Sequence, residues 1–273
     1  MVPTLFDVLE LLEKLAPSRL AEEWDNPGLQ VGEPSKEIRK VLVALDPNLQ
    51  ALKEAAGRGA QLLLTHHPLI FRPLTCLNAE IYPGNVIFEA IQEGIAIVAA
   101  HTNLDVVPGG ISDALARLFD LQEVEVLQEN LDSRIPGAGL GRIGNLQKPM
   151  SLFSIMDATK ALLDTNDVRV LGSKDLMIRR VAVVGGAGGG MVAVASKKGA
   201  DLLVTGHISH HEALEAQDRA LALIDGGHFH TEKAALRPIK DRFVSMMEDR
   251  GWNVLVEIFE NENAPLRQAW KPS

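Results

Sequence analysis

Short apolar runs recur along the chain, each closed by a polar residue or glycine, and they fall into two sets of one design. Residues 40–46 (KVLVALD) read as a strand, 49–58 as a helix and 61–65 (QLLLT) as a second strand that ends at His66. Shifted by 140 residues, 180–184 is again a strand, 191–198 a helix and 201–205 (DLLVT) a strand that ends at Gly206-His207. Each set continues to a further strand, 95–100 and 222–225. A histidine stands just past each, His101 and His228, now offset by 127. This self-similarity predicts an α/β chain of two similar βαβ-type halves related by a pseudo-twofold, with strand ends converging. The halves cover approximately 1–120 and 178–273. Between them, 121–177 carries Gly137, Gly139, Gly141 and Gly144 and a weaker pattern, which predicts a connector with short strands and one helix over 152–163.

The flanks extend the pattern. Thr4 and Asp7 have the spacing of a capping box before the amphipathic series Leu5, Val8, Leu9, Leu12 and Leu15, so the chain begins with a helix. Leu236, Ile239, Phe243 and Met246 give a late helix that Gly251 stops, and Trp252, Val254, Val256 and Ile258 alternate as a closing strand. Thr231 reads as the N-cap of the late helix, which would put Glu232 in its first turn, where the macrodipole favours a carboxylate. Trp24 reads as a core anchor, while Asp25 and Asn26, in a turn before Gly28, can reach toward the strand ends.

Against this background the histidines stand out. His66 and His67 are adjacent at the end of an apolar strand, and buried imidazole nitrogens must be satisfied, so the pair implies a waiting partner, most economically a metal. His101 precedes Asp105 by four residues and His228 precedes Glu232 by four. His-His, His-x3-Asp and His-x3-Glu at equivalent strand ends together read as a bimetal centre. Imidazoles and carboxylates suit divalent zinc, iron, manganese or nickel, and two such ions about 3.5 to 4 Å apart share a bridging group. His101 also fits a role outside the ligand shell, orienting Asp105 or a water. His207, His210 and His211 cluster after the strand equivalent to the one before His66; an exposed helix start explains them, and proton transfer by His211 is the functional alternative. The run Gly185 to Gly190 fits neither phosphate-loop pattern, because Met191 falls where a glycine or lysine is needed. Close strand-helix packing is the better account, and anion binding at the turn stays open.

Composition narrows the class. At 273 residues and 46% hydrophobic, the chain can bury a large core. No stretch approaches the roughly 18 apolar residues of a membrane span, and no basic segment precedes an apolar run at the start, so a cytoplasmic location is expected. A single cysteine, Cys76, leaves any metal to nitrogen and oxygen donors. A net charge of -9 argues against a broad nucleic-acid surface.

Five segments carry a family resemblance: 23–32 (EWDNPGLQVG), 64–69 (LTHHPL), 101–105 (HTNLD), 139–144 (GLGRIG) and Gly226-Gly227-His228 through Thr231-Glu232. On these the chain resembles the GTP cyclohydrolase I type 2 homologue family, the Nif-three-like dinuclear-metal hexameric proteins. The resemblance covers essentially the whole chain. It implies one Nif-three-like unit, metal ligation by His66, His67, Asp105, His228 and Glu232, two divalent ions per subunit, and a toroidal homohexamer with its sites facing an internal cavity. The inserted domain that some members carry between the halves has no room here. His207 departs from the pattern, which commonly has an acid there.

The function so implied is metal-dependent hydrolysis: opening of a purine imidazole ring, as in a GTP cyclohydrolase, by a hydroxide held between the ions, with His101 or His211 moving protons. Nothing in the residues identifies GTP. A phosphoesterase acting on a nucleotide-like substrate would use the same ligands, and a non-catalytic metal-binding adaptor or metal-delivery protein would need no substrate.

Overall fold

Thr4 opens the first element. Its hydroxyl accepts the Asp7 amide at 3.3 Å while the Asp7 carboxylate accepts the Thr4 amide at 2.7 Å, the expected capping box, and α1 (Leu5–Leu15) follows. The computed structural model describes residues 1–130 and 133–266. These divide into two units, the first made of 1–107 and 236–262, the second of 108–235 together with the residues from 263 on.

In the first unit the apolar runs become parallel strands β2 (Lys40–Ala44), β3 (Leu62–Thr65) and β4 (Ala96–Ala99), with α2 (Leu49–Gly57) and α3 (Gly84–Glu93) as crossovers. β1 (Gly28–Val31) adds antiparallel to β4, and the closing strand β11 (Leu255–Ile258) adds parallel to β2, giving the order β1-β4-β3-β2-β11. Strands buried on both faces read as unbroken apolar runs, which is why they were visible in the sequence. Alternation then sorts the side chains. Leu42, Leu63 and Ile97 face α2 and α3, whereas Val41, Val43, Leu62, Leu64, Ala96 and Val98 face α1 and Phe243 and Met247 of the last helix.

The second unit repeats the core. β8 (Met177–Val183), β9 (Leu202–Thr205) and β10 (Ala222–Asp225) are parallel neighbours joined by α7 (Val192–Lys197) and α8 (His210–Asp218). The register repeats the predicted offset: Val43 pairs Leu64 in one core and Val183 pairs Val204 in the other.

The boundaries differ from the expected ones. Segment 121–177 is not a connector: β5 (Gln122–Glu129), β6 (Gly139–Ser151) and β7 (Arg169–Leu171) are strands of the second sheet, ordered β5-β6-β8-β9-β10-β7, with α6 (Leu152–Leu162) between them. Gly139, Gly141 and Gly144 sit inside β6 because β5 lies against them. A Cβ on Gly139 would stand 2.2 Å from the Gln128 carbonyl oxygen, and one on Gly144 2.7 Å from that of Gln122. The remaining helices are α4 (Thr102–Val106), α5 (Ile111–Leu118) and α9 (His228–Glu248). Helix α9 starts in the second unit, while its residues from Leu236 belong to the first. Among the described residues no helix is long and apolar enough to cross a membrane.

Candidate metal centre

The end of β3 sets the geometry of the first cluster. Thr65 donates its hydroxyl to the His67 carbonyl at 2.8 Å, turning the chain so that the two histidines leave the strand differently. His66 is 1% exposed, and its Nδ1 lies 2.8 Å from the Ala100 carbonyl oxygen. A carbonyl only accepts, so Nδ1 carries the proton and Nε2 presents a lone pair. That Nε2 faces Asp105 Oδ1 at 3.6 Å. Two acceptors facing each other call for a cation, proton or metal, between them.

The same device recurs twice. His67 Nδ1 is 2.7 Å from Asp46 Oδ1, and His101 Nδ1 is 2.7 Å from Asp25 Oδ1. Each carboxylate fixes ring orientation through Nδ1, as acceptors behind metal-ligating histidines do. Asp25 is itself anchored by the Thr102 amide at 3.1 Å, the Thr102 hydroxyl and the Asn26 amide at 2.8 Å. Burial pushes the Asp25 carboxyl up, but hydrogen bonds from His101, Thr102 and the Asn26 amide outweigh it and hold it at about 2. Burial lowers the His101 pKa; the Asp25 bond opposes this, and the neighbouring His66 and His67 add to the lowering. The neutral ring that results is the form that binds metal.

His66, His67 and His101 thus offer ligand atoms that all lie within 4.8 Å of one another, with ring centroids 5.2 to 5.4 Å apart. His101, expected to orient Asp105 or a water, is placed among the donors. Asp105 lies on α4, whose N-cap is His101, and Asn103 fixes that turn by accepting the His101 amide at 2.9 Å and donating to the Ala16 carbonyl at 2.7 Å. Asp46 was not singled out from the sequence. Its signal is register: Ala44 pairs Thr65, so the residue two past β2 meets the residue two past β3.

The second cluster is in the second unit. Glu232 is 3% exposed, and its Oε1 lies 3.1 Å from His228 Nε2. Helix α9 begins at His228, so Thr231 is not its N-cap and Glu232 falls beyond the first turn, which removes the expected macrodipole argument. Thr231 instead sits inside the helix, within 3.0 Å of the carbonyls of Gly227 and His228, and its hydroxyl accepts the Gly186 amide at 3.1 Å. The glycine run proves to be packing space for this pair: at Gly186, φ +59°, a Cβ would stand 2.1 Å from Glu232 Oε1. The Gly188 amide is taken by the Thr205 hydroxyl at 2.9 Å, so packing accounts for this turn. His230 packs on Phe229 and toward Leu163. His207, His210 and His211 are exposed, with His211 on the first turn of α8 against the His210 ring at 5.8 Å.

Both clusters lie at strand C-termini and both pair histidine with acid. The family model for Duf34/NIF3 (NGG1p interacting factor 3) matches residues 3–265. The chain belongs to the Duf34/NIF3 family. It is similar to the GTP cyclohydrolase 1 type 2 homolog of Clostridium perfringens, 35% identical over 87% of this chain and 90% of that one. To the homolog of the same name from Streptomyces coelicolor it is 35% identical, over 97% of this chain and 94% of that one. Among solved structures, the Bacillus cereus protein related to NIF3 superposes with a TM-score of 0.91 at 27% identity, covering 98% of this chain and all of that one.

For this Duf34/NIF3 chain, the donor set is the test of whether a metal fits. Three imidazoles whose Nδ1 atoms are already engaged, with a carboxylate facing one of them, are borderline-hard donors without a thiolate, and they fit a divalent transition metal.

Proposed function

We propose that the protein is a metal-dependent hydrolase whose centre holds two divalent ions of the zinc, iron, manganese or nickel kind. The ligands that the family resemblance implies are His66, His67, Asp105, His228 and Glu232, with His101 beside the first two. The observation that carries this reading is the repeated engagement of Nδ1 by Ala100, Asp46 and Asp25, which turns three Nε2 lone pairs onto one locality. Bound there, such ions supply Lewis acidity and lower the pKa of water toward neutrality. The chain itself contributes orientation and protonation state. Asp46 and Asp25 hold the His67 and His101 rings, Asn103 locks the turn before Asp105, and burial keeps His101 neutral.

The names of the curated relatives make opening of the GTP purine ring the first reaction to test. A screen of metal-loaded protein against GTP, other nucleotides and phosphoesters, with Glu232→Gln as control, is expected to show metal-dependent loss of the purine absorbance that the control lacks. Turnover confined to phosphoesters would move the assignment to a phosphoesterase, and no turnover on any of them would overturn the hydrolase. The same reading takes the working form to be a cytoplasmic homohexamer, supported by the family resemblance and by a chain with a single, exposed cysteine. Light scattering checks the assembly, and a monomer mass across a wide concentration range would contradict it.

A further inference from the structure

Trp24 was expected in the core, yet it is 57% exposed. Phe71 beside it is 46% exposed, and the ring centroids are 5.7 Å apart at an interplanar angle of 59°. The third corner of this cluster is the His101 ring, 6.1 Å from Trp24 and 6.4 Å from Phe71. Two large aromatic rings left in water at the edge of a group of metal donors are an unusual use of residues that gain most by burial.

The pair is also held rigidly. Asn26 donates to the Ile70 carbonyl at 2.7 Å, the Ile70 amide donates to Gln30 at 3.1 Å, and Gln30 donates to the Asn26 carbonyl at 2.8 Å. These bonds staple the turn carrying Trp24 to the loop carrying Phe71. Asp25, the next residue after Trp24, is fixed to His101 and Thr102. The turns that carry the exposed rings are therefore preorganised, and preorganisation of a contact surface lowers the ordering cost of binding.

Resting on the reading of the histidine cluster as a metal centre, we propose that Trp24 and Phe71 form an aromatic clamp that receives a planar heteroaromatic ring of the small-molecule substrate beside His101. The two rings touch at a tilt, so the pair offers a stacking face with an aromatic edge beside it, which suits a flat ring better than a sugar or an acyl chain. A net charge of -9 favours a single small-molecule ring there over the bases of a nucleic-acid strand.

The test uses the full-length protein with guanosine monophosphate and ribose 5-phosphate as probes, followed by titration calorimetry, on wild type and on Trp24→Ala, Trp24→Phe and Phe71→Ala. The wild type is expected to prefer the nucleotide over the sugar phosphate by roughly 5- to 100-fold, the range set by stacking one base. Trp24→Ala should abolish that preference, Phe71→Ala should reduce it, and Trp24→Phe should retain most of it, with metal content at the wild-type level in all. Because the two probes differ only by the base, the comparison reads the aromatic contact whether or not the metal sites are filled. Loss of metal from the wild type would thus count against the metal centre and not against the clamp. Equal affinity of wild type and Trp24→Ala for the nucleotide would overturn the clamp, as would failure of both probes to bind. A drop in molecular mass of Trp24→Ala by light scattering would also overturn it, since the pair would then be a subunit contact.

Discussion

The two parallel cores reach the same register by different means, and the contrast shows how each positions its donors. Past β2 and β3 the first unit carries Asp46, His66 and His67; 140 residues on, past β8 and β9, the second carries Gly186, Gly206 and His207. In the first unit the donors project from the strand ends themselves, and side-chain acceptors hold them: Asp46 behind His67, the Ala100 carbonyl behind His66. In the second, the strand ends are cleared to glycine and the donors come from α9. At Gly206 a Cβ would stand 2.6 Å from the His228 Cα, and at Gly186 it would meet the Glu232 carboxylate. One scaffold places candidate metal donors by hydrogen bonds, the other by removing side chains so that a helix can approach. His207 shows the consequence, since it answers His67 but has glycine where Asp46 would stand, and it is exposed.

The sharpest way to break this contrast is Gly206→Ala. Its added Cβ meets the backbone of His228 and Gly186, which cannot yield as a side-chain end can, so unfolding free energy should fall by about 1–3 kcal/mol in chemical denaturation. An unchanged midpoint would show that α9 does not need the clearance. Gly186→Ala should cost less stability, about 1–2 kcal/mol from the left-handed backbone alone, because the atom it meets is the movable end of Glu232. Its larger effect should be on metal content, which elemental analysis reads.

Asp46→Asn examines the opposite scaffold. It leaves a neutral acceptor behind His67, so metal affinity should drop by roughly 10- to 100-fold while stability changes by less than about 1 kcal/mol. If affinity is unchanged, the carboxylate is not what orients the ring.

The smallest effect concerns the sheet edge of the first unit. Glu257 on β11 sits 3.0 Å from both Lys40 and Arg58, and the hydrogen bonds from Lys40 and Arg58 hold its carboxyl below the usual range. A depressed carboxyl contributes stability above its ordinary pKa of about 4.3 and loses it as pH falls through the lowered value. Glu257→Gln should therefore cost about 0.5 kcal/mol at neutral pH, and the difference from wild type should fade in acid.

Much of the two cores was legible because doubly buried parallel strands leave unbroken apolar runs, and because the 140-residue offset survived in the register of β2 with β3 and β8 with β9. The family expected from the motifs is the family found. What was hidden depended on neighbours distant in sequence. The long strand β6 fell within the expected connector because its glycines are explained only by β5, whose own residues are mostly charged or polar and exposed. Thr231 had the chemistry of an N-cap, but the helix starts at His228 and uses the hydroxyl for the Gly186 amide. Trp24 looked like core because large aromatic residues usually are, and Asp46 went unnoticed because only strand pairing brings it to His67.

The central claim is that both differently built clusters bind metal. Elemental analysis of metal-replete wild type, His67→Ala and Glu232→Gln tests it most directly, since each variant disables one scaffold. The account predicts about two divalent ions per chain in the wild type, as a two-metal site requires, and a clear loss in both variants with the fold retained by circular dichroism. Less than about half an equivalent in the wild type, or wild-type content in both variants, would contradict it.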